Sequence, residues 1–261
     1  AALIPGVLAA LGYMIAISCY ARFAPGSGSV TEPAPFRQRF RALAAIWPVM
    51  VIFVAVVGGI YAGVFTPTEA AAIGAAGTGL VALFNGGLTR QSLVGAILAT
   101  ASSTAMIFFI ILGAGVFNAF LASTQLPQLT AAYIGAQGFS PWWVLTAVLI
   151  MYLVFGCVMD SLSMIVLTVP IFFPILAGLD FGLAPTDFAL WFGVLVLIVV
   201  EVGLITPPVG LNLFVINRMA TDVPIAATFR GVIPFVASDL LRVAILALFP
   251  GLTLALVWLV Y

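Results

Sequence analysis

Residues 199–214 decide the fold, and they read VVEVGLITPPVGLNLF. Apolar runs flank this stretch and are together long enough to cross a membrane, yet adjacent prolines, glycines, a threonine, an asparagine and a glutamate interrupt them. In hydrocarbon an unsatisfied backbone amide or carbonyl is costly, so irregular backbone persists there only inside protein or beside a polar cavity. The stretch therefore predicts a broken transmembrane helix whose break binds a ligand or an ion.

The composition places the whole chain in a membrane. Of its 261 residues, 64% are hydrophobic and only 6% are charged, and the mean hydropathy is +1.32. Soluble domains carry about 25% charged residues, and a soluble helical bundle needs a polar outer surface that this sequence cannot supply. We therefore expect an all-α polytopic membrane protein.

The charged and metal-binding residues exclude several classes of function. The formal net charge is zero, all eight basic residues are arginines, and histidine is absent. No basic patch exists to bind nucleic acid. The two cysteines, Cys19 and Cys157, lie in separate apolar segments and are interpreted as packing residues. A Cys/His zinc site and a His-based catalytic triad are therefore excluded, and we expect neither an enzyme nor an organic cofactor.

The apolar runs divide the chain into spans and interruptions. We predict these elements in order: spans at 3–20, 44–65, 70–84 and 93–122, two short helices at 142–155 and 164–177, two halves of a broken span at 188–204 and 209–217, and a last span at 233–260. The short helices flank the polar tip GCVMDSLS (156–163) and favour a re-entrant hairpin. One full-length helix with a buried aspartate is the alternative, which Pro170 and Pro174 disfavour because each removes a helical hydrogen bond.

A division into four parts follows from these elements. We predict connecting and scaffold helices at 1–92, a helix with an interfacial arm at 93–138, the hairpin and broken helix at 139–220, and the last transmembrane helix at 221–261. A Gly/Pro/Ser-rich connection with Arg37, Arg39 and Arg41 follows the first span, and the positive-inside rule places it in the cytoplasm. The N-terminus AALIPG lacks both Met and a basic region, so we expect it to lie inside a longer protein.

The sequence Thr66-Pro67-Thr68-Glu69 indicates the start of a helix. Proline suits the first helical position, and a threonine followed three residues later by glutamate fits a capping box. We therefore interpret Glu69 as a helix cap at the membrane interface and not as a catalytic acid.

The two interruptions provide the candidate binding groups. Carbonyls that end one half-helix attract a cation, and amides that start the next half-helix attract an anion. Backbone carbonyls of Gly156, Gly203 and Val209 and the Thr206 hydroxyl are oxygen donors suited to sodium. The adjacent Pro207 and Pro208 stiffen the loop and have no amide to leave unsatisfied; we count them among the residues that shape the site.

Two carboxylates lie at or beside the interruptions. A carboxylate at membrane depth faces a cavity or a partner because its burial costs about 2.5–3.5 kcal/mol. In a functional interpretation, Asp160 and Glu201 shape the polar site or bind the cation directly. In a structural interpretation, each caps a half-helix or pairs with an arginine, for which Arg242 is the membrane-embedded candidate. The i, i+3 pair of Asp239 with Arg242 is interpreted as structural.

Three neutral polar residues also allow either a binding role or a structural role. Asn212 lies one turn beyond the break, where its amide can donate to a substrate carboxylate or bond a free carbonyl. Ser161 and Ser163 lie at the hairpin tip, where they either contact the substrate or satisfy the local backbone.

Three motifs resemble one family of transporters. The stretches GIYAGVFTPTEAAAIGA, GCVMDSLSMIVLTVPIFFPIL and EVGLITPPVGLNLFV are similar to the large membrane subunit of tripartite ATP-independent periplasmic (TRAP) transporters. The resemblance covers most of the chain and is strongest in GLITPPVGLNLFV. Residues 176–188 depart from it, because this connection is several residues longer than is usual for the family.

The resemblance implies a fold, a function and partners. It implies a sodium-coupled elevator transporter built from two inverted repeats, of which this chain holds the C-terminal one. Gly156, Gly203, Thr206 and Val209 then belong to the sodium site of that repeat. The implied partners are a small membrane subunit, a periplasmic binding protein, an organic acid (a C4-dicarboxylate, sialic acid or a keto acid) and the lipid of a bacterial or archaeal inner membrane. A sodium/dicarboxylate symporter that needs no binding protein is the alternative.

Overall fold

The chain folds into α-helices throughout the part that the structure describes. This computed structural model describes residues 1–23, 35–219 and 223–260. The Gly/Pro/Ser-rich part of the predicted connection, residues 24–34, lies outside these ranges. Within the described ranges the helices are α1 Leu3–Phe23, α2 Phe36–Ala45, α3 Trp47–Tyr61, α4 Pro67–Phe84, α5 Arg90–Thr124, α6 Leu126–Ala136, α7 Pro141–Gly156, α8 Ser161–Ala177, α9 Pro185–Ile205, α10 Leu211–Met219, α11 Ile225–Leu248 and α12 Pro250–Val260.

Five of these helices are long and apolar enough to cross a membrane, which confirms a polytopic membrane protein. They are the helices of residues Leu3–Arg22, Pro67–Phe84, Arg90–Thr124, Pro185–Ile205 and Ile225–Leu248. The helices α7, α8 and α12 are apolar but too short to span alone. The two short helices predicted around the polar tip are thus present, whereas their entry and exit on one membrane face stay a prediction.

The chain forms two compact units. The larger unit consists of Ala1–Gly28 and Met106–Tyr261, and the smaller unit consists of Ser29–Ala105. In the smaller unit α3 packs against α4, with Gly77 facing Ile52 and Gly74 facing Val56. This reversed order shows that the two helices are antiparallel.

The predicted capping box at the start of α4 is confirmed. The Thr66 hydroxyl accepts a hydrogen bond from the Glu69 amide at 3.3 Å, and the Glu69 carboxylate accepts one from the Thr66 amide at 2.8 Å. Glu69 is therefore a helix cap, as the sequence indicates.

The second predicted span, 44–65, is shorter than expected. The helix α2 continues to Ala45, and a new helix, α3, begins at Trp47 and covers only 15 residues. Pro48, at the second position of α3, has no amide to donate to the carbonyl four residues earlier, so an uninterrupted helix loses a hydrogen bond there.

The helix α9 is the centre of the larger unit. It contacts α7, α8, α10, α11 and α12, and the side chains of Trp191, Leu195 and Val200 are completely buried. A helix that is apolar around its whole circumference must be surrounded by other helices or by lipid. In α9 the neighbouring helices provide most of this cover.

The last span differs from the prediction. A single helix was expected over 233–260, but α11 ends at Leu248 and α12 begins at Pro250, with Phe249 outside both. A residue before proline is disfavoured in the α conformation, and Phe249 has φ −123° and ψ 75°. Proline also has no amide, so the carbonyl four residues earlier, that of Leu246, loses its helical donor. The buried indole of Trp191 replaces that donor at 2.8 Å.

Candidate functional site

The two interruptions lie against each other, and two glycines make the contact. Gly156 ends α7 and Gly203 lies in the last turn of α9; both are buried. A Cβ atom built on Gly203 would lie 2.6 Å from the Gly156 Cα atom and 2.9 Å from the Leu153 carbonyl oxygen. One built on Gly156 would lie 3.0 Å from both the Gly203 Cα atom and the Val200 carbonyl oxygen. The backbones therefore touch directly, and no side chain larger than hydrogen fits between them without movement.

The three backbone carbonyls chosen from the sequence keep free acceptor capacity. No donor in the described part of the chain reaches the Gly156 or Val209 carbonyl, while the Gly203 carbonyl accepts one bond, from the Thr206 amide at 2.9 Å. A carbonyl oxygen has two lone pairs, so each of these three groups can accept at least one further donor or bind a cation. The ends of α7 and α9 also carry the partial negative charge of a helix C-terminus.

The Thr206 hydroxyl is oriented by its own helix. It donates its hydrogen to the Val202 carbonyl at 2.6 Å, so its two lone pairs point away from that bond. A hydroxyl whose hydrogen is already donated can only accept further hydrogen bonds or contact a cation. It cannot donate to a second acceptor.

The loop between α9 and α10 is irregular over residues 206–210. The peptide bond between Pro207 and Pro208 is cis. The helix α10 begins at Leu211 and not at Val209 as predicted, because Gly210 has φ +60°, a conformation outside the helical region. This conformation also brings the Gly210 backbone against the Thr206 carbonyl, since a Cβ atom at Gly210 would lie 3.2 Å from that oxygen.

The polar tip between α7 and α8 is organised by Asp160. Its carboxylate accepts hydrogen bonds from the Ser163 amide, with both oxygens 3.2 Å from the nitrogen, and from the Ser163 hydroxyl. Asp160 is therefore the N-cap of α8, which is one of the two interpretations left open by the sequence. Ser163 serves the same cap, and Ser161, the first residue of α8, is half-buried.

The remaining polar candidates lie apart from the glycine contact. Glu201 and Asn212 are exposed, and in the described part of the chain neither side chain makes a hydrogen bond or an ion pair. Val200 and Gly203 form the face of α9 that meets α7, and Glu201 lies on a different face. Arg242 was the arginine proposed as a partner for Asp160 or Glu201. It instead forms an ion pair with Asp239 at 2.8 Å, as their i, i+3 spacing predicts.

Two features of the site escaped the sequence interpretation. Cys157 directly follows Gly156 and is buried, as expected of a packing residue, and its sulfur lies 3.2 Å from the Leu153 carbonyl oxygen and 4.0 Å from the Pro207 carbonyl oxygen. The hydroxyls of Tyr152 and Thr168 form a buried hydrogen bond of 3.0 Å between α7 and α8. A tyrosine within an otherwise apolar helix was the only signal for this second feature.

Comparison with known proteins identifies the family. A profile described as "Tripartite ATP-independent periplasmic transporter, DctM component" matches residues 1–252. The chain belongs to the DctM family of TRAP transporters. This is a family of transporter permease components and not of enzymes, in agreement with the composition.

Curated relatives carry the same assignment. The C4-dicarboxylate TRAP transporter large permease protein DctM of Pseudomonas aeruginosa is 37% identical over 98% of this chain and 58% of its own length. The sialic acid TRAP transporter large permease protein SiaM of Vibrio cholerae is 32% identical over 97% of this chain and 57% of its own length. The ectoine TRAP transporter large permease protein TeaC of Halomonas elongata is 32% identical over 93% of this chain and 56% of its own length. The chain thus spans less than two thirds of the length of these relatives.

Proposed function

We propose that this chain is the C-terminal part of a large TRAP permease that imports an organic acid across the cytoplasmic membrane of a bacterium or archaeon, driven by sodium. A small membrane subunit and a periplasmic substrate-binding protein would complete the transporter. The relatives named for C4-dicarboxylate, sialic acid and ectoine support an organic acid as the substrate, since all three compounds contain a carboxylate. A relative named for isethionate, which is a sulfonate, extends this class beyond carboxylates.

The backbone contact of Gly156 with Gly203 carries the sodium proposal. It brings the C-terminal ends of two helices together, and the last carbonyls of a helix lack the amide donors of a following turn. Sodium is a hard cation that prefers such oxygen ligands, and the partial negative charge of two helix ends favours it further. We assign the ion to the carbonyls of Gly156, Gly203 and Val209 and to the Thr206 hydroxyl.

Coupling follows from the position of this ion between the hairpin and the broken helix. A cation that bridges α7 and the α9–α10 loop would hold Asp160, Ser161 and the α10 residue Asn212 in one arrangement. The substrate would then bind more tightly with sodium present, and by linkage sodium would bind more tightly with substrate present. In this proposal Pro207 and Pro208 keep the loop stiff.

Alternating access is proposed to use an elevator movement. The hairpin and the broken helix, which both lie in the larger compact unit, would move as one body that carries the site. The other spans would remain in place.

The Thr206 hydroxyl provides the test of the sodium proposal. The complete transporter with its binding protein is reconstituted in proteoliposomes, and substrate uptake is measured against sodium concentration for wild type, Thr206→Val and Thr206→Ser. Valine keeps the shape of threonine and removes the hydroxyl, whereas serine keeps the hydroxyl. We expect the sodium concentration for half-maximal uptake to rise roughly tenfold in the valine variant, which corresponds to about 1.4 kcal/mol, and to change little in the serine variant.

Two results would contradict this assignment. An unchanged sodium requirement in Thr206→Val would exclude its hydroxyl as a ligand, and uptake without sodium would exclude sodium coupling. Omitting the binding protein tests the partner separately: continued uptake would favour the alternative of a binding-protein-independent sodium/dicarboxylate symporter.

A further inference from the structure

The short helix α2 has an apolar stripe with arginines on both sides. Phe36, Phe40 and Leu43 recur at helical spacing and are 74%, 62% and 56% exposed, and the two phenylalanine rings contact each other with centroids 5.5 Å apart. At 100° per residue, Arg37 and Arg41 lie on one side of this stripe. Arg39 lies on the other side, and the helix contains no acidic residue.

The surroundings of α2 leave the stripe uncovered. Among the described helices α2 meets only α3, and the axis bends by 59° between the two. Trp47, the first residue of α3, is 64% exposed next to the stripe. A helix that leaves the axis of an apolar span and carries aromatic residues beside arginines has the composition of a helix that lies in the membrane interface.

Charge in the smaller unit is concentrated at this end. From residue 35 to residue 105 the sequence contains four arginines and one glutamate. Arg90 follows α4, whose last turns lie beside the first turns of α3, so it belongs to the same end as α2. The glutamate, Glu69, lies at the opposite end of the antiparallel pair. Glu32, the nearest acidic residue before α2 in the sequence, is outside the described residues.

We propose that α2 is a docking surface for lipids with anionic phosphate headgroups. The stripe of Phe36, Phe40 and Leu43 inserts among the acyl chains near the membrane surface. Arg37 and Arg41 extend to the phosphates with their aliphatic stems along the apolar boundary. Guanidinium groups bind phosphate oxygens through paired N–H donors. The excess of positive charge, which is confined to one end of the smaller unit, favours an anionic lipid over a zwitterionic one.

This assignment is tested by lipid selectivity and is independent of transport. The complete transporter is reconstituted in vesicles of phosphatidylcholine with phosphatidylglycerol, and electron spin resonance of spin-labelled lipids gives the association of each lipid relative to the other. The variants are Arg37→Gln with Arg41→Gln, and Arg37→Lys with Arg41→Lys as the matched control that keeps the charge. We expect the glutamine variant to lower the preference for phosphatidylglycerol by up to roughly fivefold for each arginine removed, and the lysine variant to keep most of it.

Three outcomes would overturn the proposal. One is equal preference for phosphatidylglycerol in the glutamine variant and in wild type. Another is a wild-type preference that does not weaken between about 50 mM and 500 mM salt, because interfacial charge interactions are screened; this measurement needs no variant. The third is loss of an accompanying subunit from the glutamine variant with lipid preference unchanged, which would show that α2 faces a protein.

Discussion

The contact between Gly156 and Gly203 predicts a large effect of one added methyl group. In Gly203→Ala the new Cβ atom would lie 2.6, 2.8 and 2.9 Å from three backbone atoms of α7, those being the Gly156 Cα atom, the Gly156 carbonyl carbon and the Leu153 oxygen. Carbon atoms normally approach to about 3.5–4.0 Å, so α7 and α9 must separate by about 1 Å. Overpacking of this kind costs about 1–3 kcal/mol.

Two further glycines make the experiment selective. Gly193 is in the same helix and a Cβ atom there would meet nothing within 4 Å, so Gly193→Ala should be neutral or stabilising, because alanine favours the helix by roughly 0.5–1 kcal/mol. Gly156→Ala should be intermediate, since its closest contacts are 3.0 Å. Thermal unfolding of the complete transporter, together with uptake, measures all three variants. Equal stability of the Gly203 and Gly193 variants would refute the close approach of the two helices.

Three other substitutions test separate contacts by thermal unfolding. Trp191→Phe leaves the buried Leu246 carbonyl without a donor and should cost about 1–3 kcal/mol; an unchanged midpoint would mean that water replaces the indole. Arg242→Met leaves the buried Asp239 carboxylate without its cation and should cost about 3–5 kcal/mol, and adding Asp239→Leu should recover most of that loss if the pair is structural. Thr66→Ala removes the cap of α4 and should lower the free energy of unfolding by about 1 kcal/mol. Thr66→Ser should retain the cap.

Local chemistry made the interruptions of the fold predictable. Pro207 and Pro208 cannot continue a helix, so the end of α9 follows from neighbouring residues. The spacing of Asp160 and Ser163 is that of a helix cap and identifies the start of α8 at Ser161, although the helix was expected to begin at residue 164. The same reasoning locates the capping box of α4. The end of α11 was missed, although the rule that a residue before proline avoids the helical conformation applies to Phe249 and identifies it.

Contacts between residues far apart in the chain were harder to predict from the sequence. A glycine in a sequence indicates either a flexible turn or a close approach, and nothing near Gly156 or Gly203 specifies that each faces the other. The exposure of Glu201 depends in the same way on which face of α9 meets α7. Periodicity cannot settle this, because apolar residues occur on every face of α9, including Leu197 one turn before Glu201. The sequence could thus propose the oxygen donors, whereas the approach of Gly156 to Gly203 emerged only from the packing of the helices.

The hydrogen bond from Trp191 to Leu246 has a consequence for how this sequence can change over time. The indole supplies the proton that Pro250 cannot, so the two positions depend on each other although they are far apart in the chain. Loss of the indole alone exposes the defect that the proline creates. A change of Pro250 to a residue with an amide would remove the need for the indole first, and its later replacement would then be tolerated. Replacement of Pro250 first and of Trp191 second is therefore tolerated, whereas the reverse order passes through a destabilised protein. This dependence on order is directional epistasis.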